Sequence, residues 1–429
     1  MERSYISNVK TGERNKIQGF VENIRNKSKM AFIVVKDTTG KMQLAIEKEK
    51  YPEDFVAKVD SLTYDSVVSV EGEVVENSYV KLGGMEMYPE SLEIESIADA
   101  LPVQKDSAID VKMDYRWIDL RLDENTLMFK IQTEMVRAMR DFLLERDFLE
   151  IHSPKLIGSA SESGASVFEL KYYDRKAYLA QSPQFYKQMA MAAGFDKVFE
   201  VGPCFRAEKS YTSRHTTEFT SFDLEFSYID SYRDVMSLEA ELLAHMLEKV
   251  KAKYGEKIKE TFGLEVIVPS GPFPEMKLED VYAELEERYG YSVPESEKGD
   301  MTAEAEQLSY RLSQDKFGSE FLFVTDFASE KRAFYHMREN GVPQGFDLIW
   351  RGVEITSGAQ REHRYEKLKQ ITKEMGLGED VKYYLEFFRY GCPPHGGLAL
   401  GVDRLTMLLL GLHIKDAMFL FRGPNRLNP

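Results

Sequence analysis

The hydrophobic period changes once along this chain, and that change limits the folds open to it. Over residues 1–100 the apolar positions alternate or fall in short runs. Lys16-Ile17-Gln18-Gly19-Phe20-Val21 alternates, Ala31-Phe32-Ile33-Val34-Val35 is a buried-strand run, and Met42-Gln43-Leu44-Ala45-Ile46 alternates again. A helical stretch at 54–62 follows, then strands at 66–72 and 92–94. Five strands with one helix after the third describe a small closed barrel of the OB type, a pattern that other small β barrels and sheets share. From Thr126 the spacing becomes three and four: Ile131, Met135, Met139, Phe142 and Leu143 mark a long amphipathic helix ending near Arg146. A strand at 148–151 follows and stops at Pro154. The polar stretch 101–125 between the two regimes reads as a hinge.

Further strands are expected at 177–179, 197–201, 222–226, 321–324 and 346–349, with helices at 184–193, 235–250 and 364–374. They do not alternate as βαβ units. The fold class is therefore α+β, an antiparallel sheet flanked by helices. The layout is a barrel at 1–100, a hinge at 101–125 and a second domain at 126–429. Residues from about 260 to 320, rich in charge, Pro and Gly, read as a small insertion. No apolar run reaches the ~18 residues of a membrane span. Cys204 and Cys392 make no disulfide framework, and no CxxC or HExxH spacing occurs, so a reducing cytoplasm is the expected setting. Lys and Arg number 56 against 72 Asp and Glu, a net charge of −16. That argues against non-specific coating of nucleic acid and leaves room for a local RNA site.

Neither GxxxxGK[ST] nor GxGxxG occurs, so a bound nucleotide would be held by side chains rather than a glycine cradle. Three clusters could do this. Phe205-Arg206-Ala207-Glu208 precedes a polar loop with Arg214 and His215, and Phe219, Ser221, Asp223 and Glu225 then share one strand face. A guanidinium matches phosphate, a ring stacks on a base, and a carboxylate holds an ammonium. In residues 346–361, Asp347 and Glu354 stand in apolar strand beside Ser357, a donor set that suits Mg²⁺, while Arg361 follows in a Ser-Gly-Ala-Gln-Arg turn. In residues 396–405, glycines lead to Arg404 at the head of an apolar helix. Each cluster alone also fits a solvated charged face. Together they describe an ATP site without a Walker loop.

These residues carry a family resemblance. Residues 205–219 resemble motif 2 of class II aminoacyl-tRNA synthetases, residues 396–404 motif 3, and the helix and strand ending at Pro154 motif 1. Gln181-Ser182-Pro183-Gln184-Phe185-Tyr186-Lys187-Gln188, Ser357-Gly358-Ala359-Gln360-Arg361 and the terminal 421–429 resemble the aspartyl-tRNA synthetases, and the compact length is similar to their archaeal and eukaryotic type. The resemblance implies ATP-dependent activation of L-aspartate and its transfer to tRNA(Asp), with tRNA(Asn) also accepted by some members. Arg206 and Arg404 would hold the α- and γ-phosphates. Arg214 and His215 would approach the outer phosphates. Phe219 would stack under adenine and Glu208 would read its amino group. Asp347, Glu354 and Ser357 would bind Mg²⁺.

Gln184, Lys187 and Arg361 would grip aspartate, Arg361 as bidentate partner of its side-chain carboxylate, with Asp223 and Glu162 facing its ammonium. In the barrel, Phe32 would stack on an anticodon base while Gln43 and Glu93 bond base edges. Glu22 and Lys81 would bear on the choice between tRNA(Asp) and tRNA(Asn). A homodimer formed through motif 1 is implied, and the apolar stripe of that helix needs a cover. Departures are Asp403 for the usual Glu, Ala399 for a common glycine, and Phe421 and Gly423 for Pro and Asp. Rival readings are an asparaginyl-tRNA synthetase and a paralogue that charges no tRNA.

Overall fold

A computed structural model describes residues 1–159, 167–209 and 214–429. They form two compact units, Met1–Asp119 and Leu120–Pro429.

The first unit holds β1 (Arg14–Asn26), β2 (Met30–Lys36), β3 (Lys41–Glu47), α1 (Glu53–Ser61), β4 (Val67–Glu76) and β5 (Met85–Ser96). The strands close as β1-β2-β3-β5-β4, the five-stranded barrel that the sequence pattern predicts. Alternation sets its inside: Ala31, Ile33 and Val35 are fully buried, so Phe32 between them points outward. A parallel pairing of Gln43 with Glu86 makes the closure. The β1–β2 register slips between Val21 and Asn23, so Glu22 sits at a bulge. The expected hinge carries two short helices within this unit, α2 (Ile109–Asp114) and α3 (Arg116–Asp119).

The second unit opens with α4 (Asp123–Leu144) and β6 (Leu149–Glu150). A small sheet of β7 (Leu156–Ile157), β8 (Glu169–Tyr172) and β9 (Arg175–Leu179) follows, then α5 (Gln184–Ala192), β10 (Lys197–Phe205), β11 (Glu218–Ser227) and the long α6 (Tyr232–Phe262). Ser231 and Asp234 form a capping box at the start of α6, and Gly263 ends it in the left-handed conformation. Next come β12 (Glu275–Lys277), α7 (Leu278–Tyr289), α8 (Ala303–Phe317), β13 (Phe321–Thr325), the pair β14 (Arg338–Glu339) and β15 (Val342–Pro343), β16 (Gly345–Trp350) and β17 (Val353–Gln360). The chain closes with α9 (Tyr365–Glu374), α10 (Lys382–Arg389), β18 (His395–Gly401), α11 (Val402–Leu410) and α12 (Ile414–Ala417).

The main sheet has eight strands in the order β12-β13-β16-β17-β18-β11-β10-β6. The run from β13 to β10 is antiparallel as expected. Both edges are parallel, β6 against β10 and β12 against β13, so the sheet is mixed. Within the 260–320 segment, expected as a small insertion, β12 extends the main sheet, and α7 and α8 pack on it through Leu278, Val281, Leu285, Ala305 and Leu312. The stripe of α4 is covered within its own subunit, because Ile131, Met135, Met139, Phe142 and Leu143 are buried and α4 packs on α6 and α11.

Candidate active site and barrel groove

One row of cross-strand neighbours builds the floor of the site. Glu200 of β10 pairs with Asp223 of β11, Asp223 with Ala399 of β18, Ala399 with Ser357 of β17, and Ser357 with Asp347 of β16. Charged residues stand at the ends and small ones in the middle, which leaves a cavity of about 350 Å³ above the sheet. Arg206, Glu208, Arg214, His215, Phe219, Gln184, Asp223, Glu354, Ser357, Arg361 and Arg404 all line it. Lys187 and Asp347 are buried behind that lining, and Glu162 lies outside the described residues.

One end of the cavity is a buried charge cluster. Lys187 Nζ lies 3.0 Å from Asp223 Oδ1 and 3.6 Å from Glu225. Arg361 donates from Nε to Glu225 Oε1 at 2.9 Å, and from Nη2 to the Gly397 carbonyl at 2.9 Å and to Gln184 Oε1 at 3.3 Å. Those contacts engage Nε and Nη2 and leave Nη1 without a protein acceptor among the described residues. The bidentate grip expected of Arg361 is therefore made on Glu225. Burial alone would raise the Glu225 carboxyl, but Arg361 and then Lys187 hold it below the usual range. Asp223 Oδ1 is buried and accepts no hydrogen bond, its contact with Lys187 having the distance but not the angle of one. Asp223 as a residue also lines the cavity, which places a carboxylate beside any cationic group that enters. Gly397 makes the arrangement possible, since a Cβ there would stand 2.1 Å from the Leu224 carbonyl and 2.3 Å from Glu225 Oε2.

The opposite end is cationic. The Arg206 guanidinium lies 5.3 Å from the centre of the Phe219 ring. Arg404 Nη1 donates to the Glu354 carbonyl at 2.6 Å. Arg214 Nη2 meets Glu306 of α8 at 3.0 Å. Burial, reinforced by Arg404 and Arg214, lowers the His215 pKa and keeps its imidazole neutral. Asp403 accepts from the Thr220 backbone N–H at 2.8 Å, and burial pushes its carboxyl up to about 6. The shorter side chain at this departure from the family is thus fully used inside the fold.

The carboxylates expected to hold Mg²⁺ differ in their surroundings. Arg332 clamps Asp347 with contacts of 2.8 and 2.6 Å and reaches Ser357 Oγ at 3.2 Å. Among the described residues Glu354 has no such clamp, and desolvation followed by the nearby Asp347 raises its carboxyl to about 7. Glu354 and Ser357 both line the cavity, and a cation beside this half-buried carboxyl would restore its ionised form. Arg332, Glu306 and His336 belong to the site or its support and carry no sequence signal of their own, whereas the alternation on β11 places Glu225 on the face of Phe219 and Asp223. The Nδ1 atom of His336 is buried without a partner, and burial keeps this ring neutral.

In the barrel, a groove of about 890 Å³ is lined by Phe32, Gln43 and Lys81 together with Arg25, Asn77 and Glu86. Glu86 is buried and accepts from Gln43 Nε2 and from Asn77 Nδ2, each at 2.9 Å. Glu93 is exposed on β5 outside this groove, paired across the strand with Ser69. Glu22 also lies off it, 2.8 Å from Lys41 and 3.6 Å from Lys36. The bulge turns its carboxylate toward these lysines.

Residues 108–422 match the tRNA synthetases class II (D, K and N), and residues 16–95 match the OB-fold nucleic acid binding domain. The chain belongs to this class II synthetase family. As a class II synthetase it is an aminoacyl-tRNA ligase. It is 41% identical to the aspartate–tRNA(Asp/Asn) ligase of Methanopyrus kandleri, over 100% of both chains. It is 38% identical to the aspartate–tRNA(Asp) ligase of Pyrococcus horikoshii, again over 100% of both. Among solved structures it resembles the asparaginyl-tRNA synthetase of Pyrococcus horikoshii complexed with asparaginyl-adenylate, with a TM-score of 0.92, 31% identity and 100% of both chains covered. No helix among the described residues is long and apolar enough to cross a membrane.

Proposed function

We infer that this chain is an aspartate–tRNA ligase, which activates L-aspartate with ATP and transfers it to tRNA(Asp). The observation that carries the reading is one cavity with Asp223 and Arg361 at one end and Arg206 and Arg404 at the other. Asp223 takes the α-ammonium, Arg361 Nη1 with Lys187 behind it attracts the side-chain carboxylate, and Gln184 orients the pair. The α-carboxylate attacks the α-phosphorus and pyrophosphate leaves; the terminal tRNA hydroxyl then attacks the adenylate carbonyl, forming the ester and releasing AMP. Arg206 neutralises the α-phosphate, Arg404, Arg214 and His215 meet the outer phosphates, and Phe219 and Glu208 receive the adenine. The chain's part is to position reactants and offset charge. Mg²⁺ would be held by Glu354 and Ser357, with Asp347 behind them, and would supply neutralisation of the phosphate charge.

In the barrel, Phe32 stacks on an anticodon base, Gln43 and Glu86 bond base edges, and Lys81 favours tRNA(Asp). The enzyme works in the cytoplasm as a homodimer. The dimer reading draws support from the short edge strand β6, where Leu149 is 54% exposed beside exposed Leu144. Pyrophosphate exchange tests the amino-acid assignment. Exchange that depends on aspartate supports it, and exchange that depends on asparagine instead favours the asparaginyl reading that the Pyrococcus neighbour raises.

A further inference from the structure

The stretch 260–320 carries no motif, yet one of its side chains supports the phosphate end of the cavity. Glu306 stands in the first turn of α8 with its side chain 5% exposed. Its carboxylate binds both Nη groups of Arg214, and Oε2 also accepts the backbone N–H of Glu354 at 2.9 Å. The helix that carries it is anchored: Thr302 caps the Ala305 N–H at 3.0 Å, and α8 packs on β13, β16 and β17. One buried carboxylate thus joins three parts of the fold. They are the connection after β10 that supplies Arg214 and His215, the start of β17 that supplies Glu354, and α8 itself. Glu306 does not line the cavity, whereas Arg214, Glu354 and Arg404 do. Arg404 is tied to the same point, because its Nη1 donates to the Glu354 carbonyl at 2.6 Å.

We propose that Glu306 is a positioning residue of the ATP site, holding the Arg214 guanidinium and the start of β17 at the phosphate end of the cavity. The proposal rests on the reading of that end as the ATP phosphate site. A guanidinium has five N–H donors and the carboxylate uses two, so Arg214 keeps three for a ligand while its plane is fixed. Without the carboxylate the side chain regains rotamer freedom and the phosphates must order it on binding.

Titration of ATP with Mg²⁺ into the purified full chain, with no amino acid present, tests this. Glu306→Ala is expected to weaken ATP binding about tenfold, the scale of a charge-assisted contact. Glu306→Gln keeps the shape and one acceptor oxygen and should weaken binding less, which covers the case in which the alanine variant does not fold. The double variant Glu306→Ala/Arg214→Ala should lose less ATP affinity than the two single losses combined, because Glu306 acts in part through Arg214. Stabilisation of Glu306→Gln by aspartate should match that of the wild type, which a merely structural lesion would not leave intact. Wild-type ATP affinity in both Glu306 variants, or losses that add in the double variant, would overturn the proposal alone. A wild-type chain that binds no ATP would overturn the site reading and the proposal together.

Discussion

Replacing Arg361 by leucine removes the guanidinium that pairs with Glu225 and leaves that carboxylate buried. In the intact chain Glu225 is fully buried, with Arg361 at 2.9 Å and Lys187 at 3.6 Å. Removing one partner of a buried pair costs about 3–5 kcal/mol. Lys187 stays close to Glu225, so the lower end of that range is expected. The effect on substrate is separate. A charge-assisted hydrogen bond to a carboxylate is worth about 1.5–3 kcal/mol, or roughly 10- to 150-fold in binding. Chemical denaturation reads the first quantity, and aspartate-dependent pyrophosphate exchange reads the second. On the proposed reading, ATP affinity should stay within about twofold, because Arg206 and Arg404 are untouched and distant sites add independently. Coupling the change to Glu225→Leu separates the two effects, since a buried pair replaced by apolar groups often recovers stability. The double variant should regain stability and stay inactive with aspartate. Normal aspartate-dependent exchange in Arg361→Leu would refute the reasoning.

Burial raises the Glu239 carboxyl to about 8, so its folded-state pKa is above its unfolded one. The stability it contributes is present below about pH 4.5 and is lost as pH rises toward 8; Glu239→Gln should therefore flatten the fall in melting temperature over that window, and equal shifts at both ends would count against this. Gly397→Ala should lower stability severely, because its Cβ would stand 2.1 Å from the rigid Leu224 carbonyl; a melting temperature near that of the wild type would contradict the packing described. Glu86→Ala should raise the KM for tRNA while leaving pyrophosphate exchange intact, since Glu86 orients Gln43 and Asn77 in the barrel groove. Glu22→Ala should change neither, because Lys41 and Lys36 already neutralise it off that groove; an altered ratio of tRNA(Asp) to tRNA(Asn) charging would reverse that view.

Local pattern made much of this legible. Period two on β2 buries Ala31, Ile33 and Val35 and turns Phe32 outward, and the same period on β11 puts Phe219, Ser221 and Asp223 on the cavity. What pattern does not carry is partnership between distant segments. The Arg361–Glu225 pair spans 136 residues, and nothing near either residue marks the other. Glu86 rather than Glu93 faces Gln43 because the barrel closes through a parallel pairing of β3 with β5, a contact that no local spacing encodes. The stripe on α4 shows that the helix is covered, but not that α6 of the same subunit does it. The parallel edges β6 and β12, of two and three residues, are too short to display a period. The bulge at Glu22 breaks the count by which a side chain's direction is inferred.

Aminoacylation with purified tRNA(Asp) and tRNA(Asn) transcripts, each offered with aspartate and with asparagine, is the most direct measurement of what this enzyme does. The account predicts aspartate esterified to tRNA(Asp), with tRNA(Asn) charged more slowly and asparagine on neither. Asparagine esterified to tRNA(Asn), or aspartate on neither transcript, would contradict it.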